Sequence, residues 1–163
     1  MRLLAILLLS TAAITASAWV PATKATFVYV DKSARELFLF NGTQLIAKYQ
    51  VALGRSPVGH KQREGDKRTP EGAYVLDYKN PNSQYHRSIH ISYPSRRDQA
   101  LARRKGVPPG GAIMIHGQPN GFGRGAPILQ QSDWTDGCIA LTDEQMDAVW
   151  DMVDVPVRIL IAP

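Results

Sequence analysis

Thr26-Phe27-Val28-Tyr29-Val30-Asp31 is followed by Glu36-Leu37-Phe38-Leu39-Phe40, then by Asn41-Gly42, then by Gln44 to Leu53 with apolar residues at 45, 47, 49, 51 and 53. The first two runs are rich in β-branched and aromatic residues, which suit a pleated, half-buried surface. Asn-Gly is the strongest short hairpin signal, because both residues of that turn need positive φ. The alternation after it is that of a half-buried strand. A three-stranded meander is therefore expected at the start of the chain. Gly54 to Glu71, punctuated by Gly54, Pro57, Gly59, Gly65 and Pro70, reads as an irregular loop. Gly72–Tyr78 and Ile89–Tyr93 are further strand candidates, and Ala112–Ile115, bounded by glycines, suits a short buried strand. Asp98 to Lys105 permits a short helix closed by Gly106. One helix is well specified: Thr142-Asp143-Glu144-Gln145 forms a capping box, and Met146, Val149, Trp150 and Val153 follow at helical spacing. Pro156 is expected to end it before a last strand, Val157–Ile161. The fold class is mainly β with this one well-defined helix in the C-terminal half.

Met1-Arg2, the apolar run Leu3 to Leu9 and Ala16-Ser17-Ala18 have the form of an export signal with a cleavage site. The apolar run is too short to span a bilayer, which takes ~20 residues. The expectation is a signal peptide over 1–18, then one domain over 26–162 that is soluble after cleavage and monomeric. Charge is uneven: residues 55–105 carry 12 Lys/Arg against 5 Asp/Glu, whereas residues 125–163 carry 1 against 7. The basic residues are not interleaved with stacking aromatics, so a nucleic-acid partner is not expected. Anionic envelope polymers or a merely solvated loop both fit the basic centre. His86 and His90 lie four apart without a carboxylate or cysteine cluster to complete a metal set, so neither a metal nor another cofactor is expected. His90 is a groove candidate; Tyr74 and Tyr93 read as strand packing.

The only cysteine, Cys138, lies in Trp134-Thr135-Asp136-Gly137-Cys138-Ile139-Ala140-Leu141, 22 positions after His116-Gly117. An ionised thiol is a strong nucleophile, and a nearby imidazole can take its proton. His116 falls where a rigid strand ends, a common place for a catalytic side chain. Gly137 would let a carbonyl approach the backbone closely and leave N–H groups free to face a developing oxyanion. A small buried hydrophobe is the plainer reading of a free cysteine. An unpaired thiol in an oxidising compartment favours the catalytic one. Trp134 either walls such a site or anchors its loop. The order His before Cys argues against papain-like folds, where the cysteine comes first.

The pattern His116-Gly117, a loop, then Thr135-Asp136-Gly137-Cys138-Ile139 resembles the L,D-transpeptidase catalytic domain family, whose signature is a His followed at a distance by Ser/Thr-His-Gly-Cys. Val30-Asp31, Leu37-Phe38-Leu39, Asn41-Gly42, Val51-Ala52-Leu53-Gly54 and Thr69-Pro70-Glu71-Gly72-Ala73-Tyr74 extend the likeness from about Phe27 to Ile161. The resemblance implies a β-sandwich-like fold, a periplasmic or wall-facing location, and cysteine acyl transfer on peptidoglycan stem peptides. It implies Cys138 as nucleophile, His116 as general base and acid, and the backbone N–H groups of Gly137 and Cys138 as the oxyanion hole. A backbone carbonyl beside the histidine would orient it. Gly117, Thr135, Asp136, Trp134 and His90 are pocket candidates. The acceptor would be an amine of a second stem or of an envelope protein. Water as acceptor would make a cysteine carboxypeptidase or amidase, and loss of chemistry a wall-binding module. Two positions depart from the pattern. Asp136 replaces the family His and would disfavour a thiolate unless it points away or pairs with an arginine such as Arg124. Ala140 replaces a frequently polar residue.

Overall fold

The computed structural model describes residues 23–122 and 128–163. The export-signal reading of residues 1–18 and the suggested Arg124 partner lie outside them. Eight strands and two helices follow in the order β1 (Ala25–Asp31), β2 (Glu36–Asn41), β3 (Gln44–Gln50), β4 (Gly72–Asn80), β5 (Ser88–Ile91), α1 (Arg96–Arg104), β6 (Met114–His116), β7 (Ile139–Ala140), α2 (Asp143–Met152) and β8 (Val153–Ala162). They form one sheet in the order β3-β2-β1-β8-β4-β5-β6-β7. Segment 51–54 then bridges back to the far edge, Ala52 to Ala140 and Gly54 to Thr135, so the sheet curls on itself. The fold is mainly β, as expected.

The meander forms with Val28, Val30, Leu37 and Leu39 fully buried and Phe27, Tyr29, Phe38 and Phe40 on the outer face. The alternation in β3 holds only in part. The β2–β3 register shifts between Leu39 and Phe40, which puts Leu45 out of phase and leaves it 48% exposed. The last strand is longer than expected and starts before Pro156. Between Ala25↔Val153 and Phe27↔Arg158 the register shifts, so Pro156 falls in an irregularity where it has no ladder partner to fail.

The α2 capping box is present, with Thr142 and Gln145 bonded reciprocally. The first helix is better built than expected. Ser95 and Asp98 form a second capping box, and Asp98 also accepts from Tyr74 Oη and His60 Nε2, each at 3.0 Å. That Ser-x-x-Asp spacing was legible in the sequence. Tyr74 and Tyr93 are buried in the core, which raises the pKa of both hydroxyls. Among the described residues no helix is long and apolar enough to cross a membrane.

Loop 54–71 is irregular but firmly tied. The Asp66 carboxylate accepts from Lys61 Nζ at 2.9 Å and from the backbone N–H groups of Gln62, Arg63 and Arg68 at 2.7, 3.1 and 3.1 Å. Buried Lys32, in the β1–β2 turn, donates to Gly59 O, Thr69 O and Glu71 Oε1 at 2.9, 3.0 and 2.7 Å. Removing its only carboxylate partner strands a buried charge. Glu71→Ala is expected to cost about 2–4 kcal/mol of stability in chemical denaturation; a loss below about 0.5 kcal/mol, the level of a surface pair, would refute that role for the lysine.

Candidate active site

The β6–β7 pairing is parallel, with Ile115 opposite Ile139 and His116 opposite Ala140. Side chains alternate along a strand, so Cys138, two residues before Ala140, lies on the same face as His116. The two are offset by roughly 6.6 Å along the strands and about 4.8 Å across them. Ile115 and Ile139 point the other way and are fully buried. The apolar residues of the two short strands thus set where the polar ones go. Both Cys138 and His116 line a cleft of about 320 Å³ together with Arg55, Tyr85, Ser88, Trp134 and Asp136.

His116 is buried, and its Nδ1 lies 2.7 Å from the Gly117 carbonyl oxygen. A carbonyl only accepts, so Nδ1 carries the proton and Nε2 is the basic nitrogen. The orienting backbone carbonyl is therefore present, and it belongs to Gly117. That residue stands behind the histidine rather than in the cleft: its N–H reaches Tyr85 O and Arg87 O at 3.1 and 3.2 Å. A Cβ there would come within 2.6 Å of Asp143 Oδ1. Tyr85 and Trp134 flank the imidazole with centroids 4.6 and 5.6 Å away, so Trp134 does wall the cleft. Burial holds the His116 pKa below its ordinary value, partly opposed by the bond to Gly117.

Cys138 Sγ accepts from the Met114 N–H at 3.4 Å and lies 3.7 Å from Ala112 O. Burial pushes the thiol up; the Met114 N–H and the Lys61 charge oppose this, and Asp136 adds to the rise. Thr135 shapes the turn before the cysteine, its hydroxyl accepting from the Gly137 N–H at 3.1 Å and donating to Cys138 O at 2.8 Å. This corrects one expectation. The Gly137 N–H is engaged by Thr135 and is not free for an oxyanion, whereas the Cys138 N–H has no acceptor among the described residues. Gly137 is needed for another reason. Its φ is +133°, and a Cβ would come within 2.7 Å of Arg68 O.

Asp136 does not stand unpaired: its Oδ1 is 2.8 Å from Arg55 Nη1 at the rim of the cleft, so Arg55, which the sequence reading passed over, takes the place suggested for Arg124. His90 is a second correction. It stacks on Tyr78 at 4.6 Å, bonds Asp77 at 2.7 Å and does not line the cleft. His86 turns instead to Asp147, 2.7 Å away, so the two histidines face different carboxylates. Ser88, also overlooked, pairs directly with His116 across β5–β6, and its buried hydroxyl has no partner among the described residues. Only the strand register could have pointed to it.

A family model of the L,D-transpeptidase catalytic domain (YkuD) matches residues 25–160. The chain is similar to YafK of Escherichia coli (strain K12), with 27% identity over 133 residues covering 78% of this chain and 46% of that protein. Among solved structures it is similar to the helical cell shape determining protein Pgp2 of Campylobacter jejuni, with a TM-score of 0.65 and 26% identity over 85% of this chain and 48% of that one. An L,D-transpeptidase from Mycobacterium smegmatis shares the fold, with a TM-score of 0.56 and 15% identity over 85% of this chain and 59% of that one. The chain spans about half the length of YafK and Pgp2.

Burial raises the thiol and lowers the imidazole, so it favours the neutral form of both groups in the free protein. The rate of Cys138 alkylation is expected to climb with pH through a midpoint above that of an ordinary thiol, and Asp136→Asn is expected to move the midpoint down. A reactive plateau persisting below about pH 6, the mark of a thiolate–imidazolium pair, would contradict this.

Proposed function

Because the chain belongs to the L,D-transpeptidase catalytic domain family, we propose that it is an exported cysteine acyltransferase acting on peptidoglycan stem peptides, with residues 26–162 as the catalytic unit and 1–18 as a cleaved export signal. The observation that carries this reading is the placement of Cys138 and His116 on one face of β6–β7, in a cleft, with His116 Nδ1 tied to a carbonyl. Substrate binding excludes water and brings the electrophile to Sγ. As Sγ attacks the carbonyl after an L-configured centre, the thiol proton passes to His116 Nε2. The oxyanion faces the free Cys138 N–H. Collapse breaks the C–N bond, and His116 returns the proton to the departing D-amino acid, leaving a thioester on Cys138. An amine from a second stem or an envelope protein then attacks, gives its proton to His116 and releases the thiol. Starting from neutral groups suits this sequence, since charge separates in the buried site only when substrate is there to use it.

Purified protein incubated with muropeptides and followed by mass spectrometry tests this reading. Cross-linked dimer is expected from the parent. Cys138→Ala is expected to abolish product while keeping the fold, and His116→Gln to lower the rate by about 10²–10⁴. Trimmed monomer alone would make water the acceptor; product formation by Cys138→Ala would remove the cysteine from the mechanism.

A further inference from the structure

Beside the catalytic cleft lies a larger one, of about 480 Å³, that the chemistry above does not use. Its walls carry Arg63, Lys67, Arg68 and Lys105, with Ser56 and Gln62 as neutral polar groups. Among the described residues none of these four cations has a carboxylate within 4.0 Å. The only acidic residue in the wall, Asp66, is saturated by Lys61 Nζ and three backbone N–H groups, so it cannot neutralise them. Glu64 packs against Gly110 and does not line the cleft. Lys105 caps the end of α1, where a cation complements the helix dipole, but Arg63, Lys67 and Arg68 lie on a loop with no such reason to be cationic. Four cationic residues around one concavity repel one another, and the Asp66 ties hold the backbone of Arg63 and Arg68 in place there.

The cleft adjoins the catalytic one. Arg55 lines one and Ser56 the other, with the Ser56 N–H bonded to Lys67 O at 3.0 Å. We propose that this second cleft is an oxyanion-binding site that holds a multiply charged anionic segment of an envelope polymer while another part of it occupies the catalytic cleft. Two guanidinium groups offer bidentate donors to phosphate or carboxylate, and two ammonium groups add point charges. A single carboxylate would leave most of that charge unmatched. The envelope source rests on the function proposed above; the oxyanion chemistry does not.

The test is calorimetric binding of inorganic tripolyphosphate and, separately, citrate to the full-length protein, at low and at physiological salt. No turnover is involved, so this result and the muropeptide result stand apart. Saturable single-site binding is expected, weakening with salt. It should fall roughly tenfold or more in Arg63→Gln/Lys105→Gln, which loses two charge-assisted donors. Lys24→Gln/Lys48→Gln removes the same charge from residues that line no part of the cleft and should bind as the parent does. Preference for tripolyphosphate would assign phosphate groups as the ligand, and preference for citrate the carboxylates of wall peptides. Equal weakening in both double variants, or no saturable binding, would overturn the proposal.

Discussion

Everything at the site depends on one short parallel contact, Ile115 against Ile139. Both side chains are completely buried, and strand alternation then sends their neighbours to the opposite face. A slip of one residue would turn Cys138 and His116 into the apolar core and the isoleucines into the cleft, which the cost of exposing apolar surface forbids. Chemistry is thus positioned by hydrophobic packing. The bonds at 2.7–3.1 Å around Gly117 and Thr135 refine that placement without choosing it.

The same burial sets the electrostatics. Cys138 and His116 are each pushed toward the neutral form by desolvation, and the charges nearby act as smaller corrections of both signs. Asp136, a departure from the family signature, is drawn to Arg55 at the rim, and its effect on the thiol is the least of the contributions. An acidic residue next to a buried thiol is tolerable when its partner and the solvent share its charge.

Local signals were readable where the structure is local. Asn41-Gly42 does mark a hairpin, although only Gly42 takes the positive φ and Asn41 stays in β2, and Thr142 and Gln145 do cap their helix. Where the register of a pairing decides the outcome, residues alone mislead. Leu45 has the alternation of a core residue, yet a register shift against β2 exposes it. Pro156 looks like a terminator, yet it sits in an irregular part of β8. That Cys138 and His116 share a cleft agrees with their residue types and order, whereas Thr135, expected as a pocket residue, also shapes the turn before the cysteine. That the Gly137 N–H is engaged by its neighbour, that His90 turns to Asp77, and that Ser88 stands opposite His116 follow from side-chain direction and strand register, which no spacing encodes. Loop 54–71 reads only as irregular because what orders it, the Asp66 carboxylate collecting four donors and Lys32 reaching three acceptors, leaves no periodicity in the sequence.

The place of β8 has a consequence for how the chain comes to be folded. It is the last of the described strands, yet it lies in the middle of the sheet, parallel to β1 on one side and antiparallel to β4 on the other. Translation delivers the meander first, and β1 must then keep an unpaired edge while more than a hundred residues are added. Neither half of the sheet can close around the other until the ribosome has released the strand that joins them. Such non-local closure is slow and all-or-none. A nascent chain of this topology therefore stays open, and within reach of chaperones, until β8 has been made.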